Sequence, residues 1–429
     1  MNTPLARAQR GAEIILLIVA LIVATLRGLT LNKAPHPLEL EVAEGAMQMI
    51  LALTALVLLW RVGRLRQYAV LLAAAWPLAP FVLIALVSLA WSASPPASLA
   101  RAAILVGSTA LAAYLAVRYT LREIVDIVAW YFAAAAALSL ATAIALPGIG
   151  TMDVPPYDGA WNGIFWHRNY LGSIMGMGSV VLLAATISSW RDHRSHAAIF
   201  GVSYMLALAL VWMSRSATGM ILLLLLHTCL ALAAAWTRWH ARLRTVHYAM
   251  IGGVILIVLA VVLAKLDLFL GIFDRNSTFT GRVALWQYLW EIAGSRRPLL
   301  GHGLGTLWTS PEFQRSVRDA LGWPYPVYIG DNGFVDVLLQ LGIVGLSSLV
   351  LALVWACCSA LRVLLKDRDL LSTIPLIAVI YMLLTNFTLS FFLETESFAW
   401  LSLLALILAA VQRLAVYGTT PRISTASVS

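Results

Sequence analysis

Ser277-Thr-Phe-Thr-Gly-Arg282-Val-Ala-Leu-Trp286, Pro298-Leu-Leu-Gly-His-Gly-Leu-Gly-Thr306 and Asp331-Asn-Gly-Phe-Val-Asp-Val-Leu-Leu-Gln-Leu-Gly342-Ile-Val-Gly345-Leu346 mark out one long stretch. It is polar, rich in Arg, Gly and Trp, and it runs straight into an apolar run. Around it the chain is apolar almost throughout. With 61% hydrophobic and 11% charged residues, the composition departs from that of soluble domains, in which roughly a quarter of residues are charged. The reading is an all-α, polytopic membrane protein. Apolar runs of about 17 to 25 residues, enough to cross a hydrocarbon core, recur along the chain. About twelve spans are expected. They centre near Val19, Ala52, Leu83, Leu111, Ala135, Val180, Ala207, Leu225, Leu256, Leu351, Ile380 and Ala405. Any chemistry is expected in the polar stretch.

The expected organisation is 1–268 for roughly nine spans, 269–332 for one large outer loop with an amphipathic helix, and 333–429 for about three more spans and a tail. The first run is too long, and too poorly followed by a small-residue cleavage site, for a removable signal, so it is expected to stay as an anchor. Cys229, Cys357 and Cys358 fall inside expected spans, which leaves no disulfide framework and no zinc site. Lys and Arg concentrate in alternate loops: Arg61/Arg64/Arg66, Arg118/Arg122, Arg191/Arg194, Arg238/Arg242/Arg244, Arg362/Lys366/Arg368 and Arg413/Arg422. By the positive-inside rule these loops and both termini are cytoplasmic and the long loop is outside. The net charge of +9 then reflects topology and gives no support to nucleic-acid binding.

Three outer arginines stand apart. Arg168, Arg215 and Arg282 each precede an apolar or amphipathic helical run. A helix N-terminus already carries partial positive charge, so an arginine there is unfavourable unless an anion is bound. Three such sites on one face suggest a polyanionic ligand; the bland alternative is a solvated, snorkelling arginine. Thr278 or Thr280 can cap a surface-lying helix with Val283, Trp286, Leu289, Trp290 and Ala293 at helical spacing, and Arg282 in its first turn. Gly301-His-Gly-Leu-Gly305 lacks the flanking strand and the Lys-Ser/Thr of a nucleotide loop, and reads instead as a tight turn whose glycines admit a neighbouring backbone. His302 within it reads first as structural, with proton transfer open to it. Tyr157, Trp161, Phe165, Trp166, Trp308, Trp323 and Tyr325 read as an interfacial aromatic belt, with sugar stacking as the other use. His227 reads as a hydrogen-bonded core histidine, Asn386 as a polar contact between helices, and Asp336 as a helix cap or a second carboxylate.

The blocks Trp91-Ser-Ala-Ser-Pro-Pro-Ala-Ser-Leu-Ala-Arg101, Gly163-Ile-Phe-Trp-His-Arg-Asn169, Ser214-Arg-Ser216, Thr280-Gly-Arg-Val-Ala-Leu-Trp286, Pro298 to Gly305 and Asp331 to Gly345 resemble, in order, the O-antigen ligase and polymerase superfamily. That resemblance implies an all-helical membrane glycosyltransferase of the bacterial inner membrane, inverting and free of metal and cofactor, with its active site periplasmic. The donor it implies is an undecaprenyl-pyrophosphate-linked oligosaccharide; the acceptor is another glycan or lipid A core. Membrane lipid and a chain-length regulator are further partners. It assigns pyrophosphate binding to Arg215 and Arg282, with Arg168 a weaker third. His167, Asn169, His302, Asn332 and Trp286 become substrate-binding. The family's ligases carry a His-Asn pair at the end of the long loop, where the His assists acceptor deprotonation; this chain has Asp331-Asn332. That departure makes it look more like an exopolysaccharide or capsule polymerase than a lipid A ligase, with Asp331 near the attacking hydroxyl and the long loop, Trp286 and Trp290 on lipid, as a cover. Two other classes compete. A lipid-linked glycan transporter would carry mid-membrane acids and repeated halves, and these spans read as nearly free of acids. A non-catalytic assembly partner would fit the missing His.

Overall fold

A computed structural model describes residues 4–26, 38–153, 157–239, 282–323, 327–367, 369–393 and 397–419. These residues form helices α1 (Pro4–Thr25), α2 (Leu38–Arg61), α3 (Leu65–Ala74), α4 (Ala79–Val87), α5 (Pro95–Arg118), α6 (Leu121–Ala145), the single turn α7 (Pro147–Gly150), α8 (Arg168–Ser189), α9 (Arg194–Met213) and α10 (Ala217–Trp239). There follow α11 (Arg282–Arg296), α12 (Pro311–Leu321), α13 (Gly333–Asp367), α14 (Ile374–Thr385) and α15 (Ser397–Thr419). The all-α reading holds; among the described residues the extended pairing is one isolated bridge, Thr151 to Trp161. Helices satisfy all but their terminal backbone groups within one segment, as a hydrocarbon core demands.

Among the described residues 7 helices are long and apolar enough to cross a membrane, or 8 if the pair Leu65–Ala74 and Trp76–Trp91, bent by 64°, is one broken span. The expectation of about twelve spans is therefore not reached on this count. The run near Leu256 lies outside the described residues, and those near Ile380 and Ala405 form shorter apolar helices, Leu371–Thr385 and Trp400–Leu414. The protein is multi-pass.

Small residues let the helices approach closely, the means by which helices associate where no water drives them together. A Cβ on Gly107 of α5 would lie 2.7 Å from Gln48 of α2, and one on Gly219 of α10 would lie 2.6 Å from the backbone of Gly172 in α8. Cys229, Cys357 and Cys358 are free and lie in α10 and α13. His227 bonds the Leu223 carbonyl at 2.8 Å within α10, as its structural reading required.

The spans are not free of acids: α2 buries Glu41 and Glu44. Arg101 of α5 grips Glu41 with two bonds, Nε at 3.1 Å and an Nη at 2.8 Å. The two side chains are 12% and 1% exposed, so removing one partner strands a charge. Glu41→Ala is expected to lower stability by about 3–5 kcal/mol, and replacing both residues by Met to recover most of it. Thermal unfolding of the detergent-purified variants checks this.

α13 is two helices merged at Gly342, whose φ of 66° and ψ of −168° break the ladder. The Pro298–Gly305 turn fills the gap. Ile343 and Val344 donate to the Pro298 and Leu299 carbonyls at 2.8 and 3.2 Å, while His302 and Gly303 donate to Leu339 and Gln340 carbonyls at 3.2 and 2.9 Å. The orphan groups of a broken helix are thereby satisfied from outside it. Gly301 has φ 66°, and a Cβ there would strike the Gln340 backbone, so the glycines serve close approach as expected.

The contacts gather opposite ends of the bundle into two polar layers. At one end Arg10 pairs with Glu123, Arg122 with Asp192 and Arg413 with Asp367, while Glu13 meets Arg118, Tyr114 and Tyr119. These are the alternate basic loops of the sequence. The other end carries the arginines and aspartates of the polar stretch.

Candidate active site

The start of α8 and the turn between α9 and α10 form one half of that end. His167 caps α8, its Nδ1 accepting from the Asn169 N–H at 3.2 Å. Asn169 accepts from the Ser216 hydroxyl at 3.0 Å. Arg168 is buried, 4% exposed; its guanidinium donates to the Arg215 carbonyl and, at 3.4 Å, to the Ser214 carbonyl. It also stacks over the Tyr157 ring at 4.0 Å. Carbonyls and a ring face thus offset the charge that Arg168 brings to a helix N-terminus. It clamps the turn that carries Arg215. Arg215 is exposed, with one bond to the Asp158 carbonyl at 3.3 Å.

The other half forms around the start of α13. Arg282, the first residue of α11, pairs through Nε with Asp331 Oδ2 at 2.8 Å, the side chains being 11% and 28% exposed. Trp286, one turn on, donates Nε1 to the Gly330 carbonyl at 3.0 Å. Asn332 accepts from the Phe334 and Val335 N–H groups at 3.0 and 3.2 Å and so caps α13. Asp336 does not cap; its carboxylate gathers Trp308 Nε1 at 2.8 Å, the Gly330 N–H at 3.2 Å and the Ser390 hydroxyl.

α11 packs through Leu285, Leu289 and Ala293, which together with Trp308, Val317 of α12 and Leu338 and Leu339 of α13 make a small second core. Of the expected apolar face, Trp290 lies outside this core and is 61% exposed. The three buried residues fall at strict i, i+4 spacing, and Trp290 follows Leu289 by one residue and so points away. Trp286 is tied to Gly330 and packs in part on this core. Thr278 and Thr280, read as caps of α11, and Tyr325 lie outside the described residues. His302 is not beside Asp331; its Nδ1 bonds the Leu339 carbonyl at 3.0 Å, inside the α13 break.

The two halves meet through the loop after α14. Tyr170, in the first turn of α8, packs its ring against Phe391 with centroids 4.9 Å apart. Phe391 adjoins Ser390, which bonds Asp336. Asn386 orders this loop by accepting from the Phe391 and Phe392 N–H groups at 2.8 and 3.2 Å, and its carbonyl accepts from the Gly333 N–H at 2.9 Å. A polar contact at Asn386 was legible in the sequence; Ser390 carried no signal there, being a lone hydroxyl beside two phenylalanines.

Among the described residues Arg215 and Asp331 are the non-glycine residues with positive φ, 49° in each. Left-handed backbone costs an L-residue roughly 1–2 kcal/mol, and such strain collects at functional sites. Aspartate visits this region more readily than arginine. The arrangement offers one exposed guanidinium on a rigid turn, a second guanidinium joined to a half-exposed carboxylate, and a buried aspartate beneath.

Comparison with known proteins gives two matches. The model of the O-antigen ligase family matches residues 200–350. The exopolysaccharide production protein ExoQ of Rhizobium meliloti (strain 1021) is 29% identical over 304 residues, covering 67% of this chain and 66% of that protein. The matched stretch is thus just short of two thirds of that relative's length. Both matches bear out the resemblance drawn from the sequence blocks.

Proposed function

We propose, on the premise of that resemblance to the O-antigen ligase and polymerase superfamily, that this chain is a glycosyltransferase. It takes a glycan from an undecaprenyl-pyrophosphate carrier at the periplasmic face of the bacterial inner membrane and polymerises repeat units of exopolysaccharide, capsule or O-antigen. The observation that carries the reading is the left-handed backbone at Arg215 and Asp331, residues to which the family resemblance gives pyrophosphate binding and the acceptor side.

The acceptor hydroxyl attacks the anomeric carbon as the bond to the pyrophosphate oxygen breaks, with inversion. Its proton passes to the Asp331 carboxylate, and the pyrophosphate leaves as an anion held by Arg215 and Arg282. Guanidinium groups suit this work because their forked donors match phosphate oxygens and remain charged. Arg282 engages Asp331 through Nε alone among the bonds described, which leaves its terminal Nη groups for the leaving group. Donor and acceptor chemistry are coupled through that pair. The basic layer at the opposite end supports cytoplasmic termini. Arg168, Arg215 and Arg282 all lie at the site end, which supports one-sided chemistry over passage, although Glu41 and Glu44 show that α2 does carry acids.

A second reading, transfer to lipid A core, is favoured by the O-antigen ligase match. One experiment separates them: purified protein is incubated with the carrier-linked repeat unit, with and without EDTA, and products are resolved by gel and mass spectrometry. A ladder of longer carrier-linked glycans is the expected result and identifies a metal-independent polymerase. Product only after lipid A core is added identifies a ligase. Activity lost on chelation overturns the metal-free part, and silence in both arms favours a transporter or assembly partner.

A further inference from the structure

Asp336 is 3% exposed, and among the described residues no basic side chain pairs with it. A buried carboxylate without a cation is costly unless donors meet its lone pairs. Here they come from three separate segments: Trp308 Nε1, the Gly330 N–H and the Ser390 hydroxyl. Buried and met by three donors, this carboxylate presents no open face to a substrate. What it does hold is the backbone immediately before Asp331. A Cβ on Gly330 would lie 2.7 Å from Asp336 Oδ1, so the carboxylate presses against that peptide. Gly330 is fixed on its other side by Trp286, whose indole donates to its carbonyl at 3.0 Å. The next residue is Asp331, with φ 49° and its carboxylate on Arg282.

We propose that Asp336 is a positioning residue for the transfer step: by holding Gly330 it keeps the next residue, Asp331, in its left-handed conformation and so sets the Asp331 carboxylate against Arg282. The assignment rests on the transferase reading for its effect on rate, and on geometry alone for its effect on the loop. Ser390 brings the loop after α14, and with it Phe391 and Tyr170, into register with this peptide. Asp336 thereby links the Arg282–Asp331 pair to the α8 end that carries Arg168.

Two readouts test this. Asp336→Asn, which keeps the shape but cannot accept three donors, is expected to lower kcat roughly 100-fold while the KM for the carrier-linked donor stays within about twofold. In an Asp331→Asn background the same change should lower the residual rate no further, because both act through one carboxylate. Independently of activity, hydrogen exchange of segment 327–334 in detergent should rise about tenfold in Asp336→Asn, the loss of one buried hydrogen bond. Ser390→Ala, which removes one donor, should shift both readouts the same way by about threefold. Equal loss of rate with and without Asp331, or unchanged exchange in 327–334, overturns the proposal. Should the wild-type protein transfer nothing, the transferase reading falls, and the exchange measurement still decides whether Asp336 holds this peptide.

Discussion

Alanine at Arg215 or at Arg282 is expected to lower glycan transfer by roughly a thousandfold, the scale of a lost charge-stabilising donor or arginine finger. The two variants should differ in how they fail. Arg215 is exposed and bonded to one backbone carbonyl, so Arg215→Ala should leave folding unchanged and remove the leaving-group contact alone. Arg282→Ala also strips Asp331 of its partner at 2.8 Å, and should cost stability that Arg282→Ala/Asp331→Ala partly restores without restoring activity. Lysine at Arg282 is not conservative, because a single ammonium cannot hold a carboxylate and a phosphate with a planar fork. Initial rates with the carrier-linked donor, read beside thermal unfolding, separate these outcomes. Full activity in Arg282→Ala would sink the leaving-group role of Arg282.

Gly342→Ala is expected to destabilise the protein by about 4 kcal/mol or more, in the range reserved for backbone conflict in a packed interior. Two faults combine. The residue has φ 66°, and a Cβ would collide with the Leu299 carbonyl, which is backbone and cannot rotate aside. Relieving the collision means undocking the Pro298–Gly305 turn, and with it the bonds that Ile343, Val344, His302 and Gly303 make across the break. The first half of α13, which carries Asp336 and is capped by Asn332, would lose its support, so activity should fall along with stability. Gly294→Ala is the control: it lies within α11 with nothing within 4 Å, and should raise stability by up to about 1 kcal/mol. Thermal unfolding in one detergent, together with the transfer rate, checks both variants. A Gly342→Ala protein as stable as wild type would show that the turn does not depend on this break.

Much of the site was legible because its chemistry is local. Arg282 in the first turn of its helix, Asn332 just ahead of α13 and the glycines of 301–305 each follow from residue type and neighbours along the chain. The surroundings of Arg168 were not legible, for a physical reason: a helix N-terminus disfavours an arginine, and the sequence by itself suggests an external anion as the remedy. The actual compensation comes from the carbonyls of Ser214 and Arg215, more than forty positions away, and from the Tyr157 ring. His302 had no visible partner because its acceptor, Leu339, is brought near only when α13 breaks. The acids of α2 were passed over because Glu41 sits at the margin of an apolar run, where nothing local shows that Arg101 will reach it.

Composition and periodicity alone determined that this chain is all-helical and multi-pass, because a hydrocarbon core leaves no other way to satisfy so many backbone groups over such long apolar runs. They also singled out the polar stretch and its arginines as the place to look for chemistry. Tertiary structure decided which of those charges face each other. It paired Arg282 with Asp331, turned Arg168 inward to hold Arg215, and buried Asp336 under three donors from Trp308, Gly330 and Ser390. Those are contacts between segments far apart in the chain, set by how helices with small residues close on one another, and no local pattern encodes them.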